Sequence, residues 1–128
     1  MASDCAAMQI LVYEAMPDEA LRWLGSSRDD LRTFPAEARR MAGFQLRRVQ
    51  RGLPPNDWKP MPGVGPGVKE IRIHTGLEHR VFYIAAFQEG IYVLHAFEKR
   101  ARRTPKREID IARTRLRLLR RERARRER

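Results

Sequence analysis

Between Arg72 and Lys106 the chain interleaves cations with aromatic rings in segments that read as strands. Arg72, Arg80, His95 and Lys99 recur with Phe82 and Phe97 among them, and Arg100, Arg102, Arg103 and Lys106 crowd the stretch HAFEKRARRTPKRE that follows. Strand side chains alternate between faces. A tight turn around Gln88-Glu89-Gly90 would put Arg80, Phe82, Ile84, His95, Phe97 and Lys99 on one face. Val81, Tyr83, Ala85, Tyr92, Leu94 and Ala96 would share the other. A preceding hairpin centred on Leu77 adds Arg72 and His74 to the first set, Ile71 and Ile73 to the second. Such a cationic, aromatic face suits single-stranded RNA, because cations take phosphates and rings stack bases. Two plainer readings use the same residues. Strand-end arginines also serve as solvated charges that discourage edge pairing, and Phe82 and Phe97 also fit the core beneath a C-terminal helix. A register slip of one residue would move every side chain to the opposite face.

Other chemistry is sparse. His74, His79 and His95 show no metal-ligand spacing, so neither metal nor cofactor is expected. His95 is a candidate general base, since an imidazole titrates near neutrality. Cys5 is the single cysteine, which excludes an intramolecular disulfide and a cysteine-based zinc site. GVGPG at Gly63 to Gly67 lacks the Lys-Ser/Thr ending of a phosphate loop and precedes a strand rather than a helix, so it reads as a mobile hinge. Glu70 is expected off the face of Arg72 and paired with another cation.

The elements that must carry these residues fit one domain, spanning 1–119 of the 128 residues. Lys plus Arg number 27 against 16 Asp plus Glu, a formal +11, which points to a polyanionic partner, nucleic acid first. Arg outnumbers Lys 23 to 4, so a generally Arg-rich proteome is the competing explanation. Residues Met8 to Met16 read as a strand, and DEALRWLGSS as a short helix. Helix is expected from Ser27 to Gln50, in two pieces meeting at Phe34-Pro35. Phe34, Ala38, Met41, Ala42, Leu46 and Val49 form its buried stripe. Leu53 to Gly67, rich in Pro and Gly, is expected to lack regular structure. Three antiparallel strands follow, VKEIRIH, RVFYIAAF and IYVLHAF. A last helix opens with Thr104 as N-cap and Pro105 in its first turn. The tail 120–128, RERARRER after Arg120, is expected to fray or be disordered. No apolar run reaches ~18 residues and no basic region precedes the first apolar one, so a cytoplasmic chain without membrane contact is expected.

WLGSS, LRTFPAEARRMAGFQLRRVQRG, WKPMPGVGPGVKEIRI, HRVFYI and LHAFEKRARRTPKREIDIARTRL, in this order, resemble the RelE/ParE superfamily toxins, and within it the phage-derived HigB-like branch. The likeness covers about Leu21 to Leu119. It implies an α+β fold, a small antiparallel sheet packed with two or three N-terminal helices and a C-terminal one. It also implies a toxin of a type II toxin–antitoxin system that cleaves mRNA in the A site of the 70S ribosome. The implied partner is a helix-turn-helix HigA-like antitoxin, with operator DNA bound only through the toxin–antitoxin complex. The RNA 2′-hydroxyl would be the nucleophile, and clustered cations would align it, stabilise the phosphorane and protonate the leaving 5′-oxygen. By the resemblance Arg80 lies at the scissile phosphate, Lys99 and Arg100 are the basic pair after the last strand, and Arg72 completes the Glu-x-Arg triplet. Lys59, Lys69, Phe82, Phe97, Arg102, Arg103 and Lys106 would contact RNA. Two features depart from the pattern: no tyrosine stands near Ile109, and only Lys69 is basic where one branch has two lysines. The proton acceptor expected instead is His95 or Lys99, with a contribution from the ribosome's RNA as a further alternative. A gyrase-poisoning ParE-like toxin and a non-catalytic nucleic-acid-binding module are the alternatives.

Overall fold

The computed structural model describes residues 18–127. The expected strand at Met8 to Met16 lies outside them. In chain order the elements are β1 (Leu21–Trp23), α1 (Ser27–Arg32), α2 (Ala36–Gln50), β2 (Trp58–Pro60), β3 (Val68–His74), β4 (Glu78–Phe87), β5 (Gly90–Glu98) and α3 (Lys106–Arg126). The five strands form one sheet in the order β1-β5-β4-β3-β2. β1 runs parallel to β5, and the other pairs are antiparallel. The fold is α+β, with helices on both faces of the sheet.

Those helices explain why β4 and β5 are almost continuously apolar: a strand covered on both sides has no polar face to show water. On one side Leu31, Phe34, Ala38, Ala42, Leu46 and Val49 of the α1–α2 segment pack on Ile71, Ile73, Val81, Tyr83, Ile91 and Val93. On the other, Ala112, Leu116 and Leu119 of α3 pack on Val68, Phe82, Ile84, Tyr92, Leu94 and Phe97. The break between α1 and α2 falls at Phe34-Pro35, as expected. Pro35 has no N–H to donate and disfavours helix at Phe34, and α2 starts one residue later.

The last helix is capped by Pro105 rather than Thr104, without a side-chain cap hydrogen bond, and four further local readings change. Residues 21–23 form a strand, not a helix, because their backbone pairs with β5: Ile91 N donates to Ala20 O at 2.8 Å and Leu24 N to Val93 O at 3.0 Å. Gly90 makes that approach possible, since a Cβ there would stand 2.5 Å from Ala20 O. The Pro-rich segment contributes β2, a three-residue edge strand on β3 ending at Pro60, where a missing donor costs nothing to the sheet. Gly63 to Gly67 is pinned against α3 rather than hinged: Val64 is buried, Arg113 Nε donates to Gly63 O, and Arg120 Nη2 donates to Pro66 O. Finally α3 continues to Arg126 instead of fraying at 120. Arg123 Nε donates to Glu89 Oε2 at 2.7 Å and its guanidinium lies 4.0 Å above the Phe87 ring, which ties the distal helix to the β4–β5 turn.

The β4–β5 register shifts between Phe82 and Tyr83: Phe82 faces His95, yet Tyr83 faces Val93. The extra residue is a β-bulge, and it turns neighbouring side chains to one side. Tyr92 and Leu94 therefore join Phe82 and Ile84 beneath α3, while Val81, Tyr83 and Ala96 remain on the α2 side. Strict alternation had put Tyr92 and Leu94 on the α2 side.

Candidate functional site

The hairpin β3–β4 centres on Gly76, whose φ of 92° is a left-handed turn conformation that favours glycine. This register sets Arg72 opposite Arg80 and Glu70 opposite Phe82. Arg80 stands opposite Phe97 on β5, and Lys59 of β2 opposite Glu70. Lys59, Glu70, Arg72, Arg80, Phe82 and Phe97 thus share the sheet face that carries α3. The helix covers its aromatic part and the charged residues continue beyond. Glu70 does share the face of Arg72, because residues two apart on a strand point the same way.

Arg80 is 2% exposed and held by three neighbours. Its Nη2 donates to Glu78 Oε1 at 2.9 Å, its Nη1 to His79 O at 2.9 Å, and its Nε lies 3.6 Å from Glu70 Oε1. A buried guanidinium without such partners would be strongly unfavourable. Lys59 Nζ approaches the same Glu70 oxygen at 3.8 Å. Glu70 is thus paired with neighbouring cations, as expected, and its Oε2 is buried without a partner among the described residues. Arg72 is half-buried and its Nε likewise has none. Of the two facing arginines, Arg80 is held and Arg72 retains hydrogen-bonding capacity.

Lys99 prolongs β5 alongside this row: its N donates to Glu78 O at 2.7 Å, and its Nζ donates to Arg102 O at 2.7 Å. Arg100 is exposed and meets Glu98 at 3.1 Å. Arg102, Arg103 and Lys106 are exposed in the connection to α3 and its first turn.

Four expected site residues stand apart from this charged row. Lys69 points to the opposite face, with Nζ 4.7 Å above the Trp58 ring. Phe82 and Phe97, 0% and 8% exposed, pack edge-to-face at 5.3 Å as core beneath α3, so neither offers a ring to a base. His95, opposite Phe82 and on the face expected for it, is buried beneath the start of α3. There its Nε2 is hydrogen-bonded to Glu108 Oε2, and its ring stacks on Phe97 at 5.2 Å. Burial lowers the His95 pKa against the opposing pull of Glu108. His95 therefore does not join Arg72 and Arg80.

Sequence reasoning missed that Glu70 and Glu78 both stand on the face of the arginine row. Glu70 and Glu78 each precede an arginine by two strand positions, a spacing that places acid and base on one face, and this signal was available. The clasp of exposed His74 was not foreseeable: Nδ1 meets Glu78 at 2.7 Å and Nε2 meets Asp57 at 2.6 Å, from a loop seventeen residues earlier. These two carboxylates, Glu78 first, raise its pKa. Among the described residues no group of three or more His, Cys, Asp and Glu side chains could hold a metal ion, and no helix is long and apolar enough to cross a membrane.

A small sheet with helices on both faces and a cationic row at the open part of one face defines a compact α+β protein built around a basic strand surface. Residues 29–117 match the family described as "Phage derived protein Gp49-like (DUF891)", and the chain belongs to that family. It is a RelE/ParE-like toxin family of toxin–antitoxin systems. No curated protein matches the chain in sequence.

Proposed function

We propose that the chain is a HigB-like toxin of a type II toxin–antitoxin pair, a metal-independent endoribonuclease that cuts mRNA in the ribosomal A site and so inhibits translation. The observation that carries this reading is Arg72 directly opposite Arg80, with Lys99 one strand away, on a chain of net charge +11. RNA brings its own nucleophile. The 2′-oxygen attacks phosphorus, the bond to the 5′-oxygen breaks, and the products are a 2′,3′-cyclic phosphate and a 5′-hydroxyl. Arg72, half-buried opposite Arg80, takes the non-bridging oxygens through its guanidinium as negative charge grows on them. Arg80, fixed by Glu70 and Glu78, supplies charge in a set position. Lys99 donates a proton to the leaving oxygen, the nucleophile's proton passes to water, and Arg100 holds the neighbouring phosphate. Lys59, Arg102, Arg103 and Lys106 extend the phosphate track. The partners of this reading are mRNA on the 70S ribosome and a helix-turn-helix HigA-like antitoxin, through which alone operator DNA is bound. The cell compartment is the cytoplasm.

A second reading has its own support. His95 is committed to Glu108 and both phenylalanines are core, which leaves few acid–base groups. A ParE-like toxin that poisons DNA gyrase without cutting RNA would need none. Purified protein on mRNA-programmed ribosomes, read by primer extension, separates the two. Cuts within A-site codons that disappear with Arg72→Ala support the interferase. Intact message together with blocked gyrase supercoiling overturns it.

A further inference from the structure

Three of the buried polar side chains, His79, His95 and Glu108, do not belong to the arginine row. They meet at one recess of about 310 Å³ between the end of α1, the end of β5 and the start of α3. Asp30 and Glu98 also line it, as do the rings of Phe34 and Phe97. His79 is 1% exposed, its ring lies 4.3 Å from that of Phe34, and its Nδ1 has no partner among the described residues. A buried polar atom left unpaired at the wall of a recess marks a place where a ligand atom would be welcome.

The charges are arranged in two tiers. The lining holds three carboxylates and two imidazoles whose pKa values burial lowers toward the neutral form. Its mouth is cationic: Arg100 meets Glu98 at 3.1 Å and Arg107 meets Glu108 at 3.2 Å, and both guanidinium groups are exposed. An anion would settle on the rim and be repelled from the interior. Asp30 accepts from Ser26 Oγ through Oδ2, and Glu98 accepts from Arg100 through Oε2, so each uses one oxygen in these contacts. A flat group bearing N–H donors, attached to a phosphate, satisfies both tiers at once. A basic side chain of a protein partner would satisfy the interior but would have to approach through the cationic rim of a +11 chain.

We propose that this recess is a base-specificity site that takes one unstacked nucleobase bearing an exocyclic amino group, while Arg100 and Arg107 hold its phosphate. Guanine fits best, because its N1–H and N2–H present two parallel donors to a carboxylate, whereas uracil offers only one ring N–H. The site lies beside the cleavage row: His79 and Arg80 are chain neighbours, and Arg80 stands opposite Phe97. The inference rests on the reading that the chain engages single-stranded RNA.

The test separates binding from cleavage. Fluorescent 2′-O-methyl hexauridylates, which the 2′-hydroxyl route cannot cut, carry a single guanine, cytosine or uracil at the central position. Wild type is expected to bind the guanine oligomer about tenfold more tightly than the all-uracil one, the order of one charge-assisted hydrogen bond. Glu98→Gln and Asp30→Asn, both near the surface, should reduce that preference while leaving all-uracil affinity within about twofold, as a conservative surface change would. Equal binding of all bases overturns the proposal, and so does a preference that both substitutions leave intact. Loss of antitoxin binding in the same variants, without any base preference, would reassign the recess to a protein partner and overturn it too. Cleavage on ribosomes with wild-type Arg72 is measured in parallel, so failure of the endonuclease reading shows there and not in these affinities.

Discussion

The two faces of the sheet are built by the same strands but finished differently. The face under α2 is apolar along β3, β4 and β5 apart from buried Tyr83 and His79, whose ring lies tilted against Phe34. The face under α3 is apolar only where Ala112, Leu116 and Leu119 reach it. Beyond the helix it becomes Lys59, Glu70, Arg72, His74, Glu78 and Arg80. One helix covering part of a face leaves the rest free to carry charge, and that charge must then be organised. Buried Arg80 is matched by Glu70 and Glu78, while Arg72 beside it is not. Stability and function are thus expected to separate between two arginines that face each other.

The largest effect should come from the boundary between core and charge. Phe82→Ala removes a fully buried ring beneath α3 and is expected to cost about 3–5 kcal/mol in a denaturant melt. A cost below about 1 kcal/mol would mean that Phe82 is not core, and would return it to the RNA-binding set. Next comes the arginine pair. Arg80→Ala leaves Glu70 buried with only Lys59 near it, and a loss of about 3 kcal/mol is expected. Arg72→Ala breaks no recorded pair and should stay within about 1 kcal/mol of wild type while abolishing toxicity. Equal stability losses for the two would erase the distinction drawn between them.

The parts of this arrangement legible in the sequence were those set by local periodicity. The α2 stripe, the Phe34-Pro35 break, the three long strands and the placement of Arg72 with Arg80 all follow from spacing, because 3.6 and 2.0 residue periods are local properties. What was not legible depends on contacts between distant segments. A three-residue stretch such as Leu21–Trp23 becomes strand only because β5 offers a parallel edge. The bulge opposite Phe82 changes the facing of Tyr92 and Leu94, and no residue type announces it. RERARRER looks like a solvated tail until Arg123 finds Glu89, and Arg125 and Arg126 find Glu122 one turn back. The aromatic residues misled for a related reason: Phe82 and Phe97 alternate with cations as stacking residues would, but so does any strand that passes under the end of a helix.

Smaller effects should appear at the two ends of the α3 face. Arg123 first, then Glu89's own backbone N–H, lowers the Glu89 pKa from 4.5 to about 2. A carboxylate depressed on folding stabilises fully above its unfolded value and loses that contribution as pH falls through the folded one. The tether of distal α3 should therefore persist at pH 5 and weaken between about 4.5 and 2, read as faster amide exchange, relative to the intrinsic rate at each pH, in residues 120–126. Arg123→Ala should give that faster exchange already at neutral pH. If wild-type exchange there is unchanged down to pH 2, the ion pair does not hold the helix end.

The smallest effect belongs to the clasp at the charged end. His74 bridges Glu78 and Asp57, and both raise its pKa above 6.5. A histidine raised on folding contributes fully below its unfolded value, and the contribution is lost as pH rises through the folded one. The clasp joins the loop before β2 to the β3–β4 hairpin, so it closes the row from Lys59 to Arg80 at its outer end. Being half-exposed, it is screened, and His74→Ala at pH 6 should cost less than about 1 kcal/mol, with the difference from wild type vanishing at alkaline pH. An imidazole titration followed by NMR measures the shift directly. Glu78 also receives Arg80, so releasing His74 leaves that carboxylate wholly to the arginine. The hairpin end should loosen with rising pH while Arg80 stays fixed, separating mobility at the outer end of the row from order at its centre. A His74 that titrates at or below 6.5 would show that the two carboxylates do not act on it together, and the outer end would then be as loose at pH 6 as at pH 8.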